Sequence, residues 1–245
     1  MGHDIHVGIG GWSFDDWRGR FYPKDLPKTR ELEYASRRLT AIEINSTFYR
    51  NQPEHVYARW AGETPDGFRF TVKAQRMTTS RNTPSAIEEA ITWFVGGGVT
   101  ALGDKLGAIN WQFAASKTFD ADYFDTFLSA LPKEQDGVAL RHAIEVRHES
   151  FNTPAFEDML RQHGCALVFA DEADWPMPNM KTADFAYARL QNSQPGIETG
   201  YTPADLDQWA ETVRGWATER EVFAFFISGA KENNPAAAQA LIQRL

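Results

Sequence analysis

The 245-residue chain carries 42% hydrophobic and 24% charged side chains, an ordinary globular balance that excludes a disordered, collagenous or disulfide-stapled protein. Its 25 Lys and Arg against 33 Asp and Glu give a formal charge of −8 with no long run of one sign, so long duplex nucleic acid is not an expected partner. No stretch approaches the roughly 20 apolar residues that span a bilayer, and the amino terminus lacks a cationic region followed by an apolar one, so the expectation is a cytoplasmic protein without a membrane partner.

Short β-rich runs occupy 5–12, 41–48, 69–75, 106–113, 142–148, 166–171, 185–191 and 221–228. Helix-like stretches lie between them at 28–38, 54–62, 84–94, 121–131, 154–163, 203–219 and 235–244, several opening on proline, whose missing N–H is harmless in a first turn. No Gly/Ser linker interrupts the series, so residues 1–245 are expected to form one domain. Eight β/α alternations in about 250 residues match an α/β fold of the (β/α)8, TIM-barrel type; a doubly wound open sheet is the alternative that alternation alone leaves open. Segment 171–184, with Pro176 and Pro178, reads as loop, which predicts an irregular sixth βα unit. Cys165, in Cys165-Ala166-Leu167-Val168-Phe169, reads as a small buried hydrophobe rather than a nucleophile.

Within the runs one parity is apolar, as in Ile42 and Ile44, Phe70 and Val72, Ile109 and Trp111, Ile144 and Val146, Ala188 and Leu190. The other carries Glu43, Asn45 and Thr47; Thr71, Lys73 and Gln75; Asn110 and Gln112; Glu145 and Arg147; Asp171; Tyr187, Arg189 and Gln191. In a barrel the second set faces inward, where an unpaired charge costs several kcal/mol. These residues must therefore pair or face a wet cavity, and most fall in the later half of their strands, the end at which a (β/α)8 protein builds its site.

The inward charges balance, Glu43, Glu145 and Asp171 against Lys73, Arg147 and Arg189. A divalent-metal site wants a surplus of carboxylate, so the leading expectation is a small anionic ligand held by Lys73, Arg147 and Arg189. Glu43 and Glu145 are then the candidate acid and base, Lys73 a candidate electrophile or amine, and Asn45, Gln112 and Asp171 orienting groups. A network of purely structural ion pairs is the bland alternative. The loop after the first run brings Trp12, Trp17 and Tyr22, and Tyr49 with Arg50 follows the second run; these aromatics either line a ligand rim for a sugar or nucleotide or form a satellite core. Trp175 could join such a rim, and His148 near a strand end reads chiefly as structural. Gly8-Ile9-Gly10-Gly11 does not complete G-x-G-x-x-G, and there is no P-loop, H-E-x-x-H, C-x-x-C or G-x-S-x-G.

Gly10-Gly11-Trp12-Ser13 with Trp17, Gly19 and Phe21-Tyr22-Pro23, then Ile42-Glu43-Ile44-Asn45-Ser46-Thr47-Phe48-Tyr49-Arg50, Trp60, Pro65-Asp66-Gly67-Phe68-Arg69-Phe70 and Val72-Lys73 together resemble the DUF72, or YecE-like, family. The likeness continues through Leu106-Gly107, Gln112, Ile144-Glu145-Val146-Arg147 and Tyr187-Ala188-Arg189-Leu190. It implies a (β/α)8-type barrel with a polar cleft at one end and implies no particular reaction, cofactor or protein partner. The chain departs from the family pattern at Gln191-Asn192, at Ile227-Ser228 and at Thr78-Thr79, where many relatives resemble H-G, N-N and T-H. Three readings follow: an acid–base enzyme (isomerase, lyase or hydrolase) on a small anion; a metal-assisted enzyme on sugars or nucleic acid ends, with Glu43, Glu145 and Asp171 as ligands; and an accessory protein that binds without turnover.

Overall fold

The runs of alternating residues become parallel strands β1 (Ile5–Gly10), β2 (Ala41–Ile44), β3 (Arg69–Lys73), β4 (Leu106–Gln112), β5 (His142–Glu145), β6 (Ala166–Ala170), β7 (Phe185–Leu190) and β8 (Glu221–Phe226) in the computed structural model, which describes residues 2–171, 181–227 and 229–245. They pair in chain order, and β8 closes on β1 through Ile5↔Val222 to Ile9↔Phe226. Closure leaves the barrel without a sheet edge and excludes the open doubly wound sheet. Outside the barrel lie α1 (Glu31–Ser36), α2 (Glu54–Glu63), α3 (Pro84–Val95), α4 (Ala121–Ser129), α5 (Pro154–His163), α6 (Pro203–Ala217) and α7 (Asn234–Ile242). Between β6 and β7 the described residues contain no helix, and residues 172–180, with Trp175, Pro176 and Pro178, lie outside them, as does Ser228.

Strand starts coincide with those read from the sequence, whereas several ends come early. β2 stops at Ile44 because Asn45 turns to φ −94°, ψ −20° and Ser46–Phe48 form a 3-10 turn. The Thr47 hydroxyl, which contacts the Ile44 carbonyl at 3.0 Å and the Lys73 carbonyl at 2.7 Å, ties that turn to the end of β3 after the ladder has finished. Continuing the period-two reading beyond Ile44 therefore misassigns Thr47, whose hydroxyl serves the backbone.

The apolar parity, including Ile42, Ile44, Phe70, Val72, Ile109, Trp111 and Ile144, is buried between strands and helices in one cluster. The barrel interior forms a second, lopsided cluster: Ala41, Ala108, Ala143 and Ala166 on one side face Phe185, Tyr187, Phe223 and Phe225 on the other. Small residues from β2, β4, β5 and β6 thus make room for four rings from β7 and β8, filling the lower barrel at the density a protein interior requires. Gly107 sits at a register irregularity between β3 and β4, and a Cβ there would come within 2.7 Å of the Phe223 ring. At the amino-terminal end His6 Nε2 lies 2.7 Å from Glu221, Arg141 pairs with the same carboxylate, and Arg141 Nε donates to the Gly107 carbonyl at 2.8 Å. Cys165 is buried, and burial pushes its thiol up to about 12, which leaves it inert as a nucleophile.

At Gly8 a Cβ would fall 1.8 Å from the carbonyl oxygen of Ala41, a backbone atom that cannot move without breaking the β1–β2 ladder. Gly8→Ala is therefore expected to cost about 3 kcal/mol or more in chemical denaturation; a loss below about 0.5 kcal/mol would contradict this packing.

Candidate functional site

Period two places Glu43 on β2, Thr71 and Lys73 on β3, Asn110 and Gln112 on β4, Glu145 on β5, and Tyr187 and Arg189 on β7 on the inward parity. The guanidinium of Arg189 bridges two carboxylates: Nη1 donates to Glu145 Oε1 at 2.8 Å and Oε2 at 2.9 Å, and Nη2 donates to Glu43 Oε1 at 3.1 Å. All three residues are at most 3% exposed, so each charge depends on the others to offset its desolvation. Tyr187 donates to Glu43 Oε2 at 2.5 Å and accepts from the Thr71 hydroxyl at 2.8 Å. Burial and the Glu43 charge together push the Tyr187 phenol well up, so it remains a donor.

Glu145 is the most heavily engaged member. Its Oε1 also accepts from Gln112 Nε2 at 2.5 Å and from Arg147 Nε and Nη2 at 3.1 and 2.7 Å, while Oε2 accepts from Asn110 Nδ2 at 3.1 Å. Burial works to raise its carboxyl, but Arg189, then Arg147 and Lys73, overcome it and hold the group at about 2. A carboxylate so low and so fully hydrogen-bonded has neither a proton to give nor a free lone pair to take one, which is at odds with the acid or base role expected of Glu145 from sequence.

Lys73 differs from its neighbours. It is 9% exposed; its Nζ stands 4.3 Å from the centre of the Phe48 ring, and among the described residues no hydrogen bond or ion pair engages that ammonium. Burial, reinforced by Arg189 and opposed by Glu43 and Glu145, draws the amine down to about 8. Phe48 in turn lines a cavity of about 330 Å³ at the carboxyl-terminal mouth, with Arg147, Gln112, Arg76, Lys117 and Thr79 also in its wall. Arg76 and Lys117 were not among the sequence candidates, although both follow strand ends, the same criterion that drew attention to Tyr49. Thr79 donates to the Gln112 carbonyl at 2.9 Å and so braces that wall.

Other sequence candidates lie apart. Trp12 packs its ring on Trp60 at 4.9 Å and Phe70 at 6.4 Å, and its carbonyl accepts from Tyr22. Trp17 donates to the Lys231 carbonyl at 2.9 Å, and it and Tyr22 are buried, so these two rings form a satellite core. Tyr49 is 81% exposed and packs on Phe48. Asn45 lies against Gly10, and its Oδ1 is buried without a partner among the described residues. Asp171 does not join the inward set: β6 turns Val168 inward, and the Asp171 carboxylate accepts instead from the Gln191 N–H and, at 3.0 Å, the Tyr201 hydroxyl. Burial raises its carboxyl, against those hydrogen bonds. His148 accepts from the Ser150 N–H at 3.2 Å and serves as a cap. The three carboxylates considered as metal ligands thus do not converge, Arg189 standing between two of them, and among the described residues no group of three His, Cys, Asp or Glu could share an ion.

The Glu145 geometry has a pH signature. Its carboxyl titrates at about 2 in the fold against an ordinary 4.5, so the stability it contributes is complete above about pH 4.5 and is lost as pH falls toward 2. Urea denaturation should show Glu145→Gln less stable than the parent at pH 7 by about 3 kcal/mol or more, with the gap narrowing between pH 4.5 and 2.5. A pH-independent gap would contradict the ion-pair account.

A family model described as "Protein of unknown function DUF72" matches residues 6–245. UPF0759 protein YunF of Bacillus subtilis is 32% identical over 75 residues, which cover 31% of this chain and 26% of YunF; the matched segment thus spans about a quarter of that relative. Among solved structures, a DUF72 family protein from Thermotoga maritima has a TM-score of 0.78 at 24% identity, covering 98% of this chain and 97% of that one. One from Enterococcus faecalis has a TM-score of 0.74 at 20% identity with the same coverage. These two share the fold, and the family model carries the assignment, in agreement with the motifs around Trp12, Glu43 and Lys73: the chain belongs to the DUF72 family.

Proposed function

We propose that this protein is an enzyme that binds a small phosphate- or carboxylate-bearing molecule at the carboxyl-terminal mouth of its barrel and exchanges a proton with it through Lys73. The observation that carries this reading is the Lys73 ammonium, buried, drawn down to about 8 and without a hydrogen bond or ion pair to a carboxylate among the described residues, packed on the Phe48 ring, which itself lines a cavity whose wall holds Arg76, Lys117 and Arg147 and, among the described residues, no acidic side chain. A charged group kept in such a place costs stability, and strongly perturbed groups of this kind concentrate at functional sites. A pKa near the working pH suits proton transfer in either direction.

The remaining residues then have distinct duties. Arg147, oriented by two contacts to Glu145, presents a cation at the cavity, and Gln112, held by the same carboxylate, offers its amide oxygen. Arg189 with Glu43 and Glu145 forms the fixed floor beneath Lys73 and sets its field. Glu43 and Glu145 therefore act as electrostatic supports, and proton transfer passes from them to Lys73.

Sulfate, whose charge is constant near neutrality, is the probe for this reading. Its affinity, followed by calorimetry from pH 6.5 to 9.5, should fall as pH rises through about 8, because the ammonium is lost there, and Lys73→Met should weaken binding at least about tenfold and flatten the profile. Since the amine titrates at about 8 in the fold against 10.5 ordinarily, the unfolded chain holds that proton more tightly. The charged lysine thus costs stability at every pH below about 8, and the cost fades as pH rises toward 10.5. Lys73→Met should accordingly stabilise the protein at pH 7, on the order of 2 kcal/mol. Failure of sulfate to saturate the protein, or a destabilised Lys73→Met, would reject the reading; binding without turnover of any anionic substrate class would leave only the accessory-protein alternative.

A further inference from the structure

A series of contacts leads from the buried Lys73 amine to the surface. Lys73 Nζ stands 4.3 Å from the Phe48 centre, Phe48 lines the cavity at the mouth, and the Tyr49 ring meets Phe48 edge to face at 5.3 Å. Tyr49 thus begins one ring's width beyond the cavity wall, and it is 81% exposed. Its backbone is nevertheless fixed: its N–H donates to the Ser46 carbonyl at 3.2 Å, and its carbonyl accepts from Gln75 Nε2 at 3.2 Å. A single exposed aromatic is ordinary on a protein surface, but one carried by a braced turn at the rim of a cation-lined cavity is placed to stack.

The charge around that ring is a second observation. In a chain of net charge −8, the loops 45–53 and 74–83, which follow β2 and β3, contain Arg50, Arg76 and Arg81 and no Asp or Glu. All three arginines are exposed, and among the described residues no ion pair engages any of them, whereas the exposed Arg30, Arg37, Arg59 and Arg161 each pair with a carboxylate. Arg50 follows Tyr49 directly, Arg76 lines the cavity, and Arg81 lies between Ser80 and Asn82, which line it too. Cations without counter-ions around an aromatic face suit a nucleotide or a single strand, the cations taking phosphate and the ring a base. A sugar alone is less well served, because its hydroxyls call for carboxylates beside the ring and these two loops have none.

We infer that the molecule held at the mouth is a nucleotide, its phosphate in the cavity among Arg76, Lys117 and Arg147 and its base stacked on Tyr49. This rests on the anion-binding reading above and names the part of the ligand that reading leaves open. A free nucleotide and the phosphorylated end of a single strand present the same two groups, and Arg50 and Arg81 are then the cations for a further phosphate. Stacking uses the π-face that every base has, so the site selects for a base without selecting one base.

The test is calorimetry on the full chain with inorganic phosphate, ribose 5-phosphate, adenosine 5′-monophosphate and 5′-phosphorylated tetra-adenylate. The mononucleotide should bind at least about tenfold tighter than ribose 5-phosphate; on Tyr49→Ala that ratio, measured on the same variant, should fall below about threefold, and on Tyr49→Phe it should persist. A tetranucleotide that gains at least about tenfold on the mononucleotide, and loses that gain when Arg50→Ala and Arg81→Ala are combined, supports a strand end as the source; equal affinity supports the free nucleotide. If phosphate binds but the mononucleotide gains nothing on ribose 5-phosphate, or if the ratio survives Tyr49→Ala, the stacking inference fails and the anion site stands. If neither phosphate nor any of its esters binds, the anion reading fails and this inference falls with it.

Discussion

The mouth of this barrel depends on one guanidinium. Arg189 lies between Glu43 and Glu145, with contacts of 2.8 to 3.1 Å, in a region where an isolated charge of either sign would be prohibitively desolvated. Two anions against one buried cation leave a local excess of one negative charge, which Arg147 above it balances. The interior charge order thus runs from a fixed ion-paired floor to cations at the rim, and an anion arriving at the rim continues the alternation. The lower barrel permits this because four aromatic rings on β7 and β8, facing alanines from the other strands, seal it from below and keep the polar layer at the carboxyl-terminal end.

The same arrangement sets Glu145 and Lys73 apart. Glu145 makes hydrogen bonds with both oxygens and is held at about 2, which gives it rigidity and removes it from proton transfer. Lys73, a few residues away around the barrel, has the opposite balance: burial without a matched partner, and an amine drawn to about 8. A fold optimised only for stability would fill that position with an apolar side chain. The cost of retaining an ammonium there is what singles it out from the satisfied ion pairs beside it.

Much of this was legible in the sequence. The start of every strand, the barrel count and the inward parity of Glu43, Lys73, Glu145 and Arg189 follow from period-two alternation, because a side chain in a parallel strand has only two faces to occupy. Alternation lost its meaning where strands ended: Asn45 and Thr47 lie beyond β2 in a 3-10 turn, and Asp171, one residue past β6, turns out of the barrel toward Gln191 and Tyr201. The place of Trp12 is not legible in the sequence because an aromatic loop serves equally as rim or as core; in the structure its ring packs on Trp60 and Phe70. Arg76 and Lys117 were missed because loop residues have no periodicity. The departures at Thr78 and Thr79 are read more easily in three dimensions: the Thr78 hydroxyl donates to the Gln75 carbonyl, and the Thr79 hydroxyl donates to the Gln112 carbonyl and so braces the cavity wall.

Whether Lys73 is a low-titrating ammonium that an anion at the mouth can reach is read directly by nitrogen NMR of the protein labelled at lysine. Without anion the Lys73 resonance should titrate near 8, well below the other lysines. With saturating sulfate its titration should move upward by about one unit or more, because an anion favours the charged amine. A Lys73 resonance that titrates near 10.5, or that ignores sulfate, would contradict the account.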